Sequence, residues 1–501
     1  MKVKWLSLVA LLFILASCHK NENVTPGNQG NTTKGNGTAT PFSISSLLQS
    51  NMVVQRDKPF TIWGQATAKL KITINVSWNL SAFTTVADSL GNWFVVVPAS
   101  AANVNPQTII AKADGFDALV LTNIVVGDIW VCSGQSNMVM PLDSIAPFEG
   151  VLNYKAEIAV ANYPLIRMLT LQEDQEALPV SNLGRSAIWS VCSPLTAGNV
   201  SAVAYYFARK LNITLNVPVG IVVSAVDGSY CQDWTNVGAV QSDPVLAATY
   251  LAGSSTLYNG MINPLINLSV KGFTWYQGEN NQNDNPPSNY TRLNSALIQG
   301  WRGMFNQGTL PFYYVQLTPF AQDYNNTEPP GGDTTSDGLA KFREAQANIR
   351  AVTGTGMAVT MDVGEPDNHH PRNKKPVGER LALLALNYTY GQSVQCVGPQ
   401  FASFTTNQYT ATVNFAPGTA DGLNTIGNAP LNQYFFVAGG DQVLREGKAV
   451  INGNTIVITA PQSTPLPIMA IRYAFTEAPV TNLQNSAGLP AEPFRTDNWN
   501  N

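Results

Sequence analysis

The chain of 501 residues is long enough for about three domains. Hydrophobic residues make up 45% of it and charged residues 12%, so disorder driven by charge is excluded for most of the sequence. The formal net charge of −4 at pH 7 also argues against a nucleic acid as partner, because a polyanion is bound by basic surfaces.

The N-terminus has the pattern of a lipoprotein signal. Two lysines precede an apolar run over 5–16, which is too short to span a bilayer and has the length of a signal-peptide core. The run ends in Leu-Ala-Ser-Cys, which resembles a bacterial lipobox with Cys18 as the lipidated residue. We therefore predict a signal peptide over 1–17 and a flexible tether over 18–40, where Asn, Gly and Thr dominate. The expected location is the bacterial cell envelope, periplasmic or at the cell surface, with the outer membrane as the expected membrane. The alternative is an ordinary secretory signal with an incidental cysteine.

Short apolar runs separated by turn signals fill residues 41–122 and predict an antiparallel N-terminal β-domain. Between 123 and 395 the pattern changes to apolar strands that alternate with segments of helical period. The strands are predicted at 128–132, 219–224, 272–276, 311–317 and 357–361, and the helices at 200–215, 290–304, 338–352 and 377–386. Five strands in this alternation predict an α/β domain with a doubly wound, parallel five-stranded sheet.

The last segment, 396–501, returns to strand-like alternation and predicts a C-terminal β-domain. The dipeptide Asn452-Gly453 between two apolar runs is a strong hairpin signal. Four cysteines follow Cys18, and their spacing indicates neither a disulfide pair nor a zinc site; they are Cys132, Cys192, Cys231 and Cys396. Buried free thiols are the expected state of the first two, which lie in apolar or tight-turn surroundings.

Polar turns follow four of the predicted strands, at the sheet edge where open parallel sheets bind ligands. They cover 133–138, 225–229, 277–281 and 367–371. The whole chain has three histidines and one of them, His19, lies in the tether, so only His369 and His370 are available to a folded site.

A serine nucleophile needs a base that takes its proton, and the base needs a carboxylate that holds it in one tautomer. Ser136 alone would fit a helix cap, and the spacing of Asp367 and His370 alone would fit a capped loop. Their joint occurrence at one sheet edge favours catalysis by the three residues together.

Longer blocks surround these residues, and they occur at 127–138, 275–280, 367–382 and 493–499. Together they resemble the sialate O-acetylesterase-like branch of the SGNH (GDSL-type) hydrolases, and the resemblance extends from about residue 42 to the C-terminus. It implies an SGNH-hydrolase, flavodoxin-like catalytic domain over 123–395, flanked by β-sandwich-like N- and C-terminal segments.

The resemblance also implies roles for individual residues. Ser136 is expected to be the nucleophile, His370 the general base and then acid, and Asp367 its orienting partner. The expected oxyanion hole consists of the backbone N–H groups of Ser136 and Gly228 and the side chain of Gln277. As an alternative, Gln277 and Glu279 brace the loop.

Further residues are expected near the substrate or as loop support, namely Glu279, Asn280 and Trp275; plain core packing is the alternative for Trp275. Two positions depart from the family pattern. Asp227 stands in a donor loop that usually contains two glycines and a threonine, and it adds a negative charge near the oxyanion. His369 occupies a position that is usually apolar, and its expected state is that of an exposed loop imidazole.

The implied function is that of a serine carbohydrate esterase that removes O-acetyl groups from glycans through a Ser-His-Asp triad and an acyl-enzyme. The partner is an acetylated carbohydrate, neither a cofactor nor a metal is expected, and a membrane is reached only through the lipid at Cys18. Sialic acid is one carrier of the acetyl group, and plant cell-wall polysaccharide such as xylan or xyloglucan is the alternative. Two other classes stay open: a non-catalytic glycan-binding surface lipoprotein, and a metallo-hydrolase built on Glu365, Asp367, His369 and His370.

Overall fold

The computed structural model describes residues 41–321 and 337–499. The predicted signal peptide, the lipidated Cys18 and the tether lie outside the described residues. Within the described ranges, none of the helices has the length and apolar character needed to cross a membrane.

The N-terminal part of the chain is mostly antiparallel β-structure, as predicted, with one parallel pair between its second and last strands. Its strands are β1 (Ser43–Ile44), β2 (Val53–Gln55), β3 (Phe60–Gln65), β4 (Lys71–Val76), β5 (Asn79–Val86), β6 (Asn92–Val97), β7 (Asn103–Ala113) and β8 (Leu119–Gly134). β3 lies between β1 and β6 in one sheet, and β4 lies between β5 and β7 in another. In β6, Trp93, Val95 and Val97 are buried while Phe94 is exposed, the period of two that a strand with one covered face requires.

Helices and strands then alternate through the central part of the chain. In order they are α1 (Ser136–Val139), α2 (Tyr154–Ala159), β9 (Tyr163–Thr170), β10 (Ser190–Cys192), α3 (Ala202–Leu215), β11 (Val219–Ala225), α4 (Val237–Gln241), α5 (Pro244–Tyr250), β12 (Gly272–Tyr276), α6 (Ser288–Phe305), β13 (Phe312–Val315), α7 (Gly338–Asn348), β14 (Thr355–Ala358) and α8 (Lys374–Leu384). The strand order is β10-β9-β11-β8-β12-β13-β14. Every neighbouring pair is parallel except β10 and β9.

The prediction of five parallel strands was wrong by one strand, because β9 was not anticipated. Pro164 and Arg167 interrupt the apolar run that signals a buried strand. Arg167 is nevertheless 4% exposed, and its guanidinium donates hydrogen bonds to the carbonyl oxygens of Pro164, Asn51 and Asn123. Because these carbonyl oxygens accept from the N–H groups of the guanidinium, Arg167 can be buried in a strand. The apolar pattern of the sequence does not predict this strand.

β8 is the structural link between the N-terminal β-structure and the central sheet. Its first residues alternate between covered and exposed positions, and burial is continuous from Ile124 to Gly134. The change marks the point where the strand becomes covered on both faces. The predicted boundary at 122–123 falls inside this strand, so the two regions share one strand.

The C-terminal part is again antiparallel. Its strands are β15 (Phe401–Asn407), β16 (Thr410–Phe415), β17 (Asn424–Thr425), β18 (Phe435–Ala438), β19 (Arg445–Glu446), β20 (Lys448–Asn452), β21 (Thr455–Thr459), β22 (Ala470–Tyr473), β23 (Leu483–Gln484) and β24 (Phe494–Arg495). The predicted hairpin is confirmed, because β20 and β21 pair around Gly453. Arg343 of α7 is fully buried and donates to the carbonyl oxygens of Thr476 and Glu477, which ties this region to the central domain. All four cysteines after the tether are buried and free.

Candidate active site

Ser136 lies where β8 ends and the short helix α1 begins. Gly134, the last residue of β8, has a φ of +141°, and a Cβ atom there would lie 2.0 Å from the carbonyl oxygen of Tyr276. Only glycine allows this approach of two neighbouring strands. Ser136 is the first residue of α1 and is 2% exposed. Its backbone N–H lies in the first helical turn, where amides have no acceptor within the helix.

A cleft of about 610 Å³ lies over Ser136 at the carboxyl ends of the parallel strands. Loops that follow β8, β11, β12, β13 and β14 supply its lining. The lining residues are Gln135, Ser136, Asp227, Gly228, Glu279, Asn280, Gln282, Phe320, Ala321, Asp367 and His369. The predicted convergence of four polar turns at one edge of the sheet is therefore confirmed.

A second cleft, of about 370 Å³, lies next to the first and shares Asp367 with it. Its lining residues are Met140, Pro147, Phe148, Glu149, Glu365, Asp367, Asn368, His370 and Arg372. The two imidazole rings are neighbours, with centroids 4.0 Å apart. Ser136, Asp367 and His369 thus line one cleft, while His370 lines the other. The position of His369 in the cleft of Ser136 was not expected from the sequence.

His370 is half-buried, and its ring packs edge-on against Phe148 at a centroid distance of 5.1 Å. Its Nε2 atom is buried and has no hydrogen-bond partner among the described residues. Burial, followed by the charges of His369 and Lys374, lowers the pKa of His370 to about 4. An imidazole with this pKa is neutral at pH 7 and has a free lone pair for a proton.

The three predicted triad residues are close in the fold but are not joined by hydrogen bonds within the described ranges. Asp367 is exposed, and the described part of the chain offers it neither a hydrogen-bond donor nor an ion pair. The backbone N–H of His370 donates to Oδ1 of Asn368 at 2.9 Å, which fixes the turn that carries both imidazoles.

The loop that carries Gly228 is held from within. Gly228 has a φ of +67°, and a Cβ there would meet nothing within 4 Å, so the space next to its Cα atom is open. Asn280 donates its amide to the carbonyl oxygen of Gly228. Ser229 donates to the carbonyl of Val226 at 2.8 Å. These bonds leave the exposed side chain of Asp227 at the cleft.

Gln277 does not fit the predicted oxyanion role. Its side chain is fully buried, and Nε2 lies 2.8 Å from Oδ1 of Asn281 and 3.0 Å from Oε1 of Gln135. The two amide hydrogens therefore have acceptors inside the protein, and Oε1 accepts from the hydroxyl of Tyr290 at 2.9 Å. Gln277 braces the loops behind the cleft, which is the alternative that the sequence left open.

Trp275 is likewise core and not a substrate contact. The ring is 1% exposed and packs against Trp234 and Trp301 at centroid distances of 6.3 and 5.9 Å. The strand period places it on a face of β12 that helices cover. Of the three residues expected near the substrate or as loop support, Asn280 and Glu279 line the cleft.

A buried polar network behind the cleft was missed at the sequence level. The side-chain amide of Asn137 donates to Oε1 of Glu279 and, at 2.9 Å, to the carbonyl oxygen of His369. Lys374 Nζ in turn donates to Oδ1 of Asn137. Burial lowers the pKa of Lys374 to about 7, against the opposing effect of Glu279 and Glu365, and burial raises the pKa of Glu279. The one sequence signal was that Asn137 directly follows the candidate nucleophile.

Comparison with known proteins identifies the family. Residues 126–387 match the family described as carbohydrate esterase, sialic acid-specific acetylesterase. The sialate O-acetylesterase of Homo sapiens is 29% identical over 392 residues, which cover 70% of this chain and 72% of the human protein. The sialate O-acetylesterase of Rattus norvegicus is 29% identical over 428 residues, covering 71% of this chain and 75% of the rat protein.

A crystal structure gives the same result at the level of the fold. A carbohydrate acetylesterase from Xanthomonas citri superimposes with a TM-score of 0.81 at 32% sequence identity. The match covers 91% of this chain and 100% of that chain, so it includes the β-structure on both sides of the central sheet. The chain therefore belongs to the sialic acid-specific acetylesterase family of carbohydrate esterases, which are carboxylic ester hydrolases.

Proposed function

We propose that this carbohydrate esterase is a serine acetylesterase in which Ser136, His370 and Asp367 remove O-acetyl groups from a glycan. The observation that carries the proposal is the cleft that Ser136 shares with Gly228, Asp367 and His369, whose ring lies against the ring of His370. In the first half-reaction, Oγ of Ser136 attacks the acetyl carbon and its proton passes to Nε2 of His370. The sugar hydroxyl then leaves with that proton, and water releases acetate from the acyl-enzyme by the same route.

His370 is our choice for the base because its Nε2 is buried, neutral and without a partner. A buried nitrogen without a hydrogen-bond partner costs free energy, and the hydroxyl of Ser136 is a donor that would remove this cost. In ligand-free structures catalytic hydrogen bonds are often long and shorten only when substrate binds. His369 is the second candidate, because it lines the same cleft as Ser136.

Asp367 is our choice for the orienting carboxylate because it lines the clefts of both histidines. For the oxyanion we assign the backbone N–H groups of Ser136 and Gly228. The first lies at the start of α1, and the second lies in an exposed loop that lines the cleft and is fixed by Asn280. Fixed donors of this kind stabilise the charge that develops in the tetrahedral intermediate.

The acetyl group is assigned to a glycan on the names of the relatives, which are sialate O-acetylesterases in mammals and a carbohydrate acetylesterase in Xanthomonas citri. Sialic acid and plant cell-wall polysaccharide are both consistent with that assignment. The polar lining of the cleft supports a hydroxyl-rich ligand, since most of its residues carry hydrogen-bonding side chains.

The test is hydrolysis of p-nitrophenyl acetate, together with acetate release from a panel of acetylated glycans. We expect Ser136→Ala to lower kcat by about 10⁴- to 10⁶-fold while the thermal midpoint stays near that of the wild type, since truncation of one hydroxyl affects packing little. Activity near the wild-type level in this variant would refute the nucleophile assignment. Activity abolished by EDTA would favour the metallo-hydrolase, and glycan binding without hydrolysis would favour the non-catalytic alternative.

We further propose that the protein is a lipoprotein of the bacterial cell envelope, anchored through Cys18. The support is the sequence pattern at the N-terminus, where a short apolar run ends in Leu-Ala-Ser-Cys ahead of a polar tether.

A further inference from the structure

The residues that line the cleft over Ser136 carry more negative than positive charge. Three carboxylates line it, those of Asp227, Glu279 and Asp367, and its lining within the described residues contains neither Lys nor Arg. The other ionisable group in the lining is the imidazole of His369.

The nearby cations do not offset the charges of Asp227 and Asp367 at the cleft. Lys374 counters the charge of Glu279 from behind Asn137, to which it donates a hydrogen bond, but it is fully buried and out of reach of a ligand. Arg372 lines the neighbouring cleft, where Nε donates to the carbonyl oxygen of Gly150 at 2.9 Å and NH1 lies 3.7 Å from Glu149. That cleft also contains Glu365 and Asp367, so negative charge exceeds positive charge in both.

The lining of the cleft also presents hydrogen-bond acceptors. Glu279 is 8% exposed and lines the cleft, and its Oε2 atom is buried without a partner among the described residues. Unpartnered buried carboxylate oxygens are costly, so this atom is suited to a hydroxyl donor from a ligand. The exposed carboxylate of Asp227 also accepts hydrogen bonds and cannot donate them while ionised.

We propose that the cleft selects electrically neutral acetylated sugars, whose hydroxyls donate to its carboxylates, and that Asp227 is the residue that excludes anionic sugars such as sialic acid. This inference rests on the proposed function, since it concerns the substrate of the same site. Like charges in close proximity repel, and a site discriminates against a ligand by placing a repulsive group in its path. Repulsion of anionic sugars would thus be the role of Asp227, which stands where the family pattern usually has a glycine-rich donor loop.

The test uses two substrates that differ in charge and by one methyl group: a mono-O-acetylated methyl glucuronoside, which keeps free hydroxyls, and its methyl ester. We expect kcat/KM for acetate release to be at least about tenfold higher for the ester. In Asp227→Asn the ratio should fall severalfold towards one, because the side chain keeps its shape and loses its charge. Raising the ionic strength should lower the wild-type ratio, because salt screens charges near the surface.

The matched control is Asp114→Asn. Asp114 is exposed and lies in the turn between β7 and β8, whereas Ser136 follows the opposite end of β8. The ratio of kcat/KM for the two substrates in Asp114→Asn should therefore equal that of the wild type. A wild-type ratio near one, or a preference for the free acid, would overturn the inference. An unchanged high ratio in Asp227→Asn would overturn the role of Asp227. p-Nitrophenyl acetate separates these results from failure of the proposed function, which would abolish Ser136-dependent hydrolysis of every ester.

Discussion

The rings of His369 and His370 have centroids only 4.0 Å apart, yet each imidazole lines a different cleft. His369 shares the cleft of Ser136, while His370 lies against Phe148 with a buried, unpartnered Nε2. Position in the cleft favours the first histidine as base. The unpartnered state of its Nε2 atom and the spacing of Asp367 and His370 in the sequence favour the second histidine.

The two histidines can be separated by single substitutions. We expect His370→Ala to lose nearly all activity, because the serine proton then has no acceptor. His369→Ala should retain more than about a tenth of kcat/KM, since loss of a cleft contact is worth no more than roughly 1.4 kcal/mol. Both variants are to be measured on p-nitrophenyl acetate, with circular dichroism spectra as the control for folding. An inactive His369→Ala beside an active His370→Ala would reverse the assignment.

The pH dependence of the wild-type enzyme gives an independent check on the base. Burial lowers the pKa of His370 to about 4, and the base must be unprotonated to accept the serine proton. We therefore expect kcat/KM to stay level on the acid side down to about pH 5 and to fall tenfold per unit below about pH 4. A fall already near pH 6.5, the ordinary value for imidazole, would contradict the environment described for His370.

The neighbouring charges make this prediction more specific. The charge of His369 is one of the causes that lower the pKa of His370, so His369→Gln should move the acid limb to higher pH. Enzyme held at pH 3.5 and then assayed at pH 7 provides the control for irreversible inactivation, and a circular dichroism spectrum recorded at pH 3.5 distinguishes titration from reversible unfolding.

The lipid anchor is tested by Cys18→Ala. We expect the variant to leave the membrane fraction or to remain unprocessed, because the acceptor of the lipid is lost, while its specific activity stays that of the wild type. Fractionation of cells followed by immunoblotting measures the first effect and p-nitrophenyl acetate the second. A Cys18→Ala protein that still sediments with membranes, at processed size, would rule out anchoring through this residue.

Much of the fold and of the site could be predicted from local sequence pattern. The strands that carry Ser136, Gly228 and Glu279 are short apolar runs followed by polar turns, so their positions follow from periodicity. What local pattern cannot supply is the partner of a side chain. Gln277 could point into the cleft or away from it, and the acceptors that decide this, on Asn281 and Gln135, lie in two different loops.

Lys374 and Lys375 illustrate the same limit, because two identical adjacent residues at the start of α8 have opposite environments. Lys374 is fully buried, donates to Asn137 and lies 5.5 Å from the ring centroid of Tyr276, whereas Lys375 is exposed. Tyr276 and Asn137, which contact Lys374, lie more than 95 positions away in the sequence. The sequence pattern of a helix start treats both lysines as solvent-exposed.

This pair also provides the last prediction. Lys374→Met should lower the free energy of unfolding by about 3–5 kcal/mol, because it leaves Glu279 without its counter-charge and Oδ1 of Asn137 without its donor. Urea unfolding followed by circular dichroism measures this loss of stability.

The same substitution should also affect catalysis. Asn137 donates a hydrogen bond to the carbonyl oxygen of His369, so kcat should fall as the turn that carries the imidazoles loosens. Lys375→Met is the matched control and should change the free energy of unfolding by no more than about 0.5 kcal/mol. Equal effects of the two substitutions would mean that the buried network does not hold the active-site turn.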